Sequence, residues 1–121
     1  MTYEDIDNYP EAKTNTGVIC PMKLVQKLIE GKWKILILWH LIEKPMRFGE
    51  LEKALSTTSR GVLTQQLRQL ENDGLVHREV FNEVPLKVVY SLTELGESFS
   101  DVLNVMREWG ELHLDIEINN K

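Results

Sequence analysis

The chain has little of several things that define common protein classes. It carries one cysteine, Cys20, which rules out an intrachain disulfide framework and fits a reducing cytosol. His40, His77 and His113 are widely spaced, and there is no Cys-x-x-Cys or His-x-x-x-His pair, so a zinc site within one chain is not expected. The longest apolar stretch, Trp33 to Ile42, is broken by Lys34 and His40 and falls far short of the roughly 20 residues of a membrane span. The first residues, MTYEDIDNYPEAKTNTG, are acidic and polar, unlike a signal or transit peptide. No nucleophile–base pair or phosphate loop is visible, so neither enzymatic activity nor a cofactor is expected. A soluble cytoplasmic domain remains.

Positive charge is also scarce. Lys and Arg number 14 against 19 Asp and Glu, a net charge of −5, which argues against a simple polycation that coats nucleic acid. The distribution is more telling than the total. Residues 1–19 hold one basic and four acidic groups, residues 20–88 hold 11 and 8, and residues 89–121 hold 2 and 7. A mildly basic middle thus lies between acidic ends, a pattern that permits a phosphate-binding face and equally fits ordinary scattered charge.

With 121 residues and 42% apolar content, the chain makes one domain with a single core. Residues 1–19 lack hydrophobic periodicity and read as a flexible arm, leaving 20–119 for the domain. Pro21 suits the first turn of a helix, with Leu24, Val25, Leu28 and Ile29 as its stripe and Gly31 as its stop. Trp33–Ile42 reads as a buried central helix ended ahead of Pro45, and Phe48–Leu55 as a two-turn helix. In Arg60–Asp73, Leu63, Leu67 and Leu70 recur at spacings of 4 and 3, with Ser59 as N-cap and Gly74 as stop. Leu75–Val80 and Lys87–Leu92 are β-like and form a hairpin, and Thr93 caps one long final helix. The fold class is mainly α with a small β-hairpin: a winged helix-turn-helix.

Four groups of residues are candidates for function. Opposite the leucines of Arg60–Gly74 lie Gly61, Thr64, Gln65, Arg68 and Gln69, a face of amides, hydroxyls and guanidinium without a carboxylate. Gln pairs bidentately with adenine and Arg with guanine in the major groove, and hydroxyls such as those of Thr58, Ser59 and Thr64 bond to bases or phosphate. At the hairpin, Arg78, Asn82 and Lys87 suit phosphate contacts along a groove, although Glu83 at the tip opposes them. Along the last helix Leu95, Phe99, Val102, Met106, Trp109, His113 and Ile116 repeat at spacings of 4 and 3, a heptad seam that favours a homodimer, with an intramolecular cap as the other reading. Cys20 at the start of the first helix, near Lys23, has the setting of a reactive thiol, or is an inert cap residue.

In order along the chain, Cys20-Pro21, Gly31-Lys32-Trp33, Arg47-Phe48-x-Glu50-Leu51, Leu63-Thr64-x-x-Leu67, Leu70-Glu71-x-Asp73-Gly74-Leu75-Val76-x-Arg78, Glu83-Val84-Pro85, Tyr90-Ser91-Leu92-Thr93-x-x-Gly96 and Trp109-Gly110 resemble the HxlR family of bacterial winged-helix transcriptional regulators. The resemblance covers residues 20–112. It implies a homodimer joined through the first helix (Leu24, Leu28) and the last, and the helix of Leu63 and Leu67 in the major groove of double-stranded DNA; two such helices one turn apart would read a palindrome. It also implies that Arg47 is close to DNA, adding it to Arg60 and the residues above. A cysteine at the position of Cys20 is used by several members to sense electrophiles, quinones or oxidants. Gly61 and Gln66 stand where the family commonly carries basic residues. Two rival readings have their own signatures: a winged-helix module that docks proteins, and a regulator gated by a noncovalent ligand near Trp33, Trp39 and Trp109.

Overall fold

The computed structural model describes residues 20–116; the expected arm at 1–19 and the last five residues lie outside the described residues. The chain divides into two units, residues 1–32 and 33–121. In the first, α1 (Pro21–Ile29) begins with proline at its first position, and Cys20 occupies the N-cap with its carbonyl accepting from the Leu24 N–H at 3.0 Å. Proline there forfeits no helical hydrogen bond. Met22 and Leu24 are exposed, whereas Cys20 is buried.

The second unit is built around α2 (Lys34–Glu43), whose Ile37, Leu38 and Leu41 are buried. It packs against α4 (Arg60–Asn72), the sheet and α6 (Ser100–Leu112). Between them come β1 (Met46–Arg47) and α3 (Phe48–Ala54), and after α4 the strands β2 (Val76–Phe81) and β3 (Lys87–Leu92), then α5 (Glu94–Ser98). The sheet is antiparallel in the order β1-β3-β2, with Arg78 opposite Tyr90 and Met46 opposite Tyr90 on the other side. Residues directly opposite in an antiparallel pair share a face. One face therefore carries Val76, Arg78, Met46, Tyr90 and Leu92, of which Val76 and Tyr90 are buried.

Leu63, Leu67 and Leu70 of α4 are 0%, 1% and 0% exposed, so the 4-and-3 spacing marks the core side as expected. Ser59 Oγ accepts from the Val62 N–H at 3.1 Å and so caps α4. At the other end Gly74 takes φ +81°, the left-handed conformation that lets the helix turn straight into β2. Thr93 Oγ1 accepts from the Gly96 N–H at 3.0 Å and donates to the Gly74 carbonyl at 2.6 Å, tying the start of α5 to the end of α4. Gly96 lies so close to the chain at Leu75 that an added Cβ would meet the Leu75 carbonyl oxygen at 2.1 Å.

Three expectations need correction. The sheet has a third strand, β1, whose two residues carry no alternation to betray it. The hairpin strand begins at Val76 and includes Phe81. The final helix is not one rod but two segments meeting at Phe99. There the Leu95 carbonyl takes the Ser98 hydroxyl and the Phe99 N–H turns back to Gly96 O at 3.1 Å. A serine hydroxyl competing for a helical carbonyl is a recognised cause of such breaks. The seam consequently does not run through a single helix, and Ile116 lies beyond the end of α6.

Candidate nucleic-acid interface

α3 and α4, joined by the turn Leu55–Ser59, form a helix-turn-helix, and β2–β3 forms the wing behind it. Gly61, Thr64, Gln65, Arg68 and Gln69 are all exposed, on the side of α4 away from its buried leucines. From Arg60 to Leu70 that helix carries no carboxylate, so its outer face presents donors, amide groups and positive charge. At its start, Thr58 is half-buried and Ser59 exposed, the latter engaged as the cap.

Arg60 is held in place. Its Nη1 lies 2.9 Å from Glu52 Oε1, and its guanidinium sits 4.9 Å from the centre of the Phe48 ring. An exposed ion pair of this kind adds little stability, but the two contacts on one guanidinium fix its direction at the N-terminus of α4. Arg47 belongs to β1, where its N–H donates to Glu50 Oε1 at 2.8 Å and its side chain is exposed.

Gln66, standing where the resemblance implies a basic residue, has a different task. Its Oε1 accepts from the Trp33 N–H at 2.9 Å, satisfying a donor at the N-terminus of α2 from the middle of α4. Nothing in the sequence spacing joins these two residues, which are 33 positions apart.

On the wing, Arg78 and Asn82 are exposed and Lys87 is half-buried, its ammonium 5.0 Å from the centre of the Phe81 ring. The tip itself is unlike a basic finger: Glu83 is exposed, Val84 is fully exposed, and Leu86 is largely so. Arg78 faces α4 rather than the tip. With Thr64, Arg68, Glu71 and Tyr90 it lines a cleft of about 340 Å³ between α4 and the sheet. The sequence offers Thr64, Arg68 and Arg78 separately; their sharing of one cleft follows from the packing of α4 on β2, and the pairing of β2 with β3 adds Tyr90.

On α5 and α6 the apolar residues divide by depth. Leu103 is 2% exposed and anchors α6 to the core. Leu95, Val102, Val105, Met106, Trp109 and Leu112 are exposed, and Phe99 and His113 are half-buried. His113 stacks on Trp109 with ring centroids 4.2 Å apart, its Nδ1 2.8 Å from the Trp109 carbonyl oxygen. Most of the expected seam therefore does not contribute to the chain's own core. Of the three tryptophans, Trp39 lines a cavity of about 250 Å³ with His40, Ile42 and Glu43, and neither Trp33 nor Trp109 is among its lining residues. Cys20 is 0% exposed at the N-cap of α1. Among the described residues no cluster of His, Cys, Asp or Glu is placed to hold a metal ion, and no helix is long and apolar enough to cross a membrane.

Two helices at a tight polar turn, an outward face rich in amides and guanidinium, and a hairpin behind them define a winged helix-turn-helix protein of the DNA-binding type. Comparison with known proteins narrows this further: residues 28–118 match the HxlR-like helix-turn-helix family, and the chain belongs to it. It is 46% identical over 96 residues to the HTH-type transcriptional regulator YdeP of Bacillus subtilis (strain 168), covering 79% of this chain and 75% of that one. Identity to the regulator YybR of the same organism is 43% over 97 residues, covering 80% and 78%. Among solved structures, the reduced form of the redox regulator HypR superposes with a TM-score of 0.76 at 43% identity, covering 78% of this chain and 94% of that one. The reduced form of the transcriptional regulator YodB from B. subtilis gives 0.69 at 33%, covering 79% and 96%. The chain is a helix-turn-helix transcriptional regulator.

Proposed function

We propose that this regulator acts in the cytoplasm as a homodimeric repressor, binding a palindromic operator with α4 in the major groove. The observation that carries the reading is the outer face of α4: Thr64, Gln65 and Gln69 are exposed hydrogen-bonding side chains opposite fully buried leucines. Amides read adenine edges and hydroxyls read bases or phosphates. Arg47, Arg60, Arg68, Arg78 and Lys87 supply positive charge on the same helix-turn-helix and wing, with Asn82 as a neutral backbone contact at the wing.

The homodimer is inferred from the exposed apolar residues of α5 and α6, among them Leu95, Val102, Met106 and Trp109, which a monomer would leave in water. Leu24 and Leu28 are the contribution proposed for the first unit. Two copies of α4 set one helical turn apart would read both half-sites, and linkage of the two multiplies affinity by effective concentration.

The test begins with selection of bound duplexes from a random DNA pool, followed by anisotropy titration of the selected operator at increasing salt. The expected result is enrichment of an inverted repeat and an affinity that falls steeply with salt as phosphate counterions are released. No enrichment, with salt-insensitive binding to proteins instead, would identify a protein-docking winged helix.

Thiol sensing at Cys20 is proposed as the control on this binding, supported by its place at a helix N-cap and by the likeness to a redox regulator. Because Cys20 is buried, an electrophile reaches it only through local opening. As the single cysteine, it can form a Cys20–Cys20 bridge between subunits, a mixed disulfide with a small thiol, or an alkylated adduct.

A further inference from the structure

The cleft between α4 and the sheet has features that an ordinary surface groove lacks. Arg68 comes from α4 and Arg78 from β2, yet both line the same space. Neither guanidinium makes a hydrogen bond or ion pair among the described residues, whereas those of Arg60 and Arg107 both do. Tyr90, directly opposite Arg78 on β3, is 8% exposed and lines the cleft, and its hydroxyl also has no hydrogen-bond partner among the described residues. Among those residues no fully buried polar side-chain atom lacks a partner, so that hydroxyl is open to solvent, and Tyr90 is one of the residues lining the cleft. Thr64 adds a second hydroxyl. Two guanidiniums without partners and two hydroxyls converging on about 340 Å³ are the donor set for an oxyanion.

Resting on the DNA-binding reading above, we infer that this cleft is a seat for one phosphate group, held by Arg68 and Arg78 with the hydroxyls of Thr64 and Tyr90. Its charge selects the occupant. Glu71 also lines the cleft, so two positive groups face one negative group and a single net positive charge remains. That balances a phosphodiester, which carries one negative charge, better than a phosphate monoester or free phosphate, which carries up to about two at neutral pH. The backbone of bound DNA is therefore the fitting source, and free phosphate the alternative supply of the same chemistry. The seat assigns Arg68 to the backbone and leaves base reading to Gln65 and Gln69. It also gives the wing a role that its acidic and apolar tip does not suit: the base of the hairpin, at Arg78, grips the strand.

The experiment uses the full-length protein and a set of operator duplexes, each with one backbone phosphate replaced by a neutral methylphosphonate. Wild type, Arg68→Gln, Arg78→Gln and Tyr90→Phe are titrated by anisotropy, with circular dichroism confirming that each variant is folded. One phosphate position is expected at which the replacement weakens wild type about tenfold or more and weakens Arg68→Gln and Arg78→Gln no further. The Arg78→Gln loss is expected on operator and scrambled duplex alike, with the log–log salt slope reduced by about one. In a second arm, inorganic phosphate is added to DNA-free protein while the arginine Nε–H resonances are followed by NMR. Saturable shifts at Arg68 and Arg78, absent from Arg78→Gln, would assign the seat to free phosphate as well. If specific DNA binding persists but every methylphosphonate costs wild type and Arg78→Gln equally, and phosphate moves neither arginine, the seat is refuted while the regulator reading stands. If no DNA is bound at all, the regulator reading falls, and the seat is decided by the phosphate titration alone.

Discussion

Replacing Gly96 by alanine should damage this protein although it adds one methyl group and improves helix propensity. The added Cβ would lie 2.1 Å from the Leu75 carbonyl oxygen, 3.1 Å from the carbonyl carbon and 3.2 Å from Leu92 Cδ2. Two of the three contacts are backbone, so no side-chain rotation relieves them. The Leu75 carbonyl also accepts the Thr93 N–H at 3.1 Å, so moving it loosens the base of the hairpin. Overpacking of this kind costs about 1–3 kcal/mol and the weakened hydrogen bond about 1 more. Alanine in place of glycine returns up to about 1 kcal/mol, leaving a net loss of roughly 1–3. Gly49 of α3 provides the control, because a Cβ there meets nothing within 4 Å. Gly49→Ala should be neutral or stabilising by up to about 1 kcal/mol. Urea denaturation followed by circular dichroism, at one fixed protomer concentration, measures both. Equal midpoints for the two variants would show that the backbone at Gly96 yields freely and that α5 does not lock against Leu75.

Gln66→Ala removes the acceptor of the Trp33 N–H and should cost about 1–2 kcal/mol in the same denaturation assay; Gln66→Glu, which keeps an acceptor oxygen, should recover most of it. Trp109→Glu places a charge on the exposed face of α6 and should leave the monomer folded. Sedimentation should then show a protomer where wild type shows a dimer, with operator affinity reduced about a hundredfold or more; an unchanged dimer would remove α6 from the interface. Diamide should lower operator affinity of wild type and leave Cys20→Ser unaffected, and an identical response of the two would exclude the thiol from control.

Much of the fold could be read from residue spacing because the signals are local. The 4-and-3 leucines of α4 and the hydroxyl caps at Ser59 and Thr93 act within one or two turns, where sequence order and spatial order coincide. β1 escaped because two residues carry no period; its existence depends on Met46 and Arg47 meeting β3, more than 40 positions later. The heptad seam reads as one helix because side-chain spacing ignores which donor each carbonyl finds, and the break at Phe99 is a competition for carbonyls. That seam nevertheless identified residues the core leaves exposed. The outward face of α4 was legible for the same reason as its buried face. The cleft was not: Arg68 and Arg78 share it because α4 packs on β2, and Tyr90 joins them through the pairing of β2 with β3, and neither contact has a period in the sequence.

The central claim is that the amide-bearing face of α4 reads DNA sequence. Its most direct test is the ratio of affinities for the selected operator and a scrambled duplex of equal length, measured for wild type and Gln65→Ala at one salt concentration. A lost bidentate base contact should reduce that ratio by about tenfold to a hundredfold, with binding to the scrambled duplex nearly unchanged. A ratio equal to that of wild type, in a folded variant, would contradict the claim.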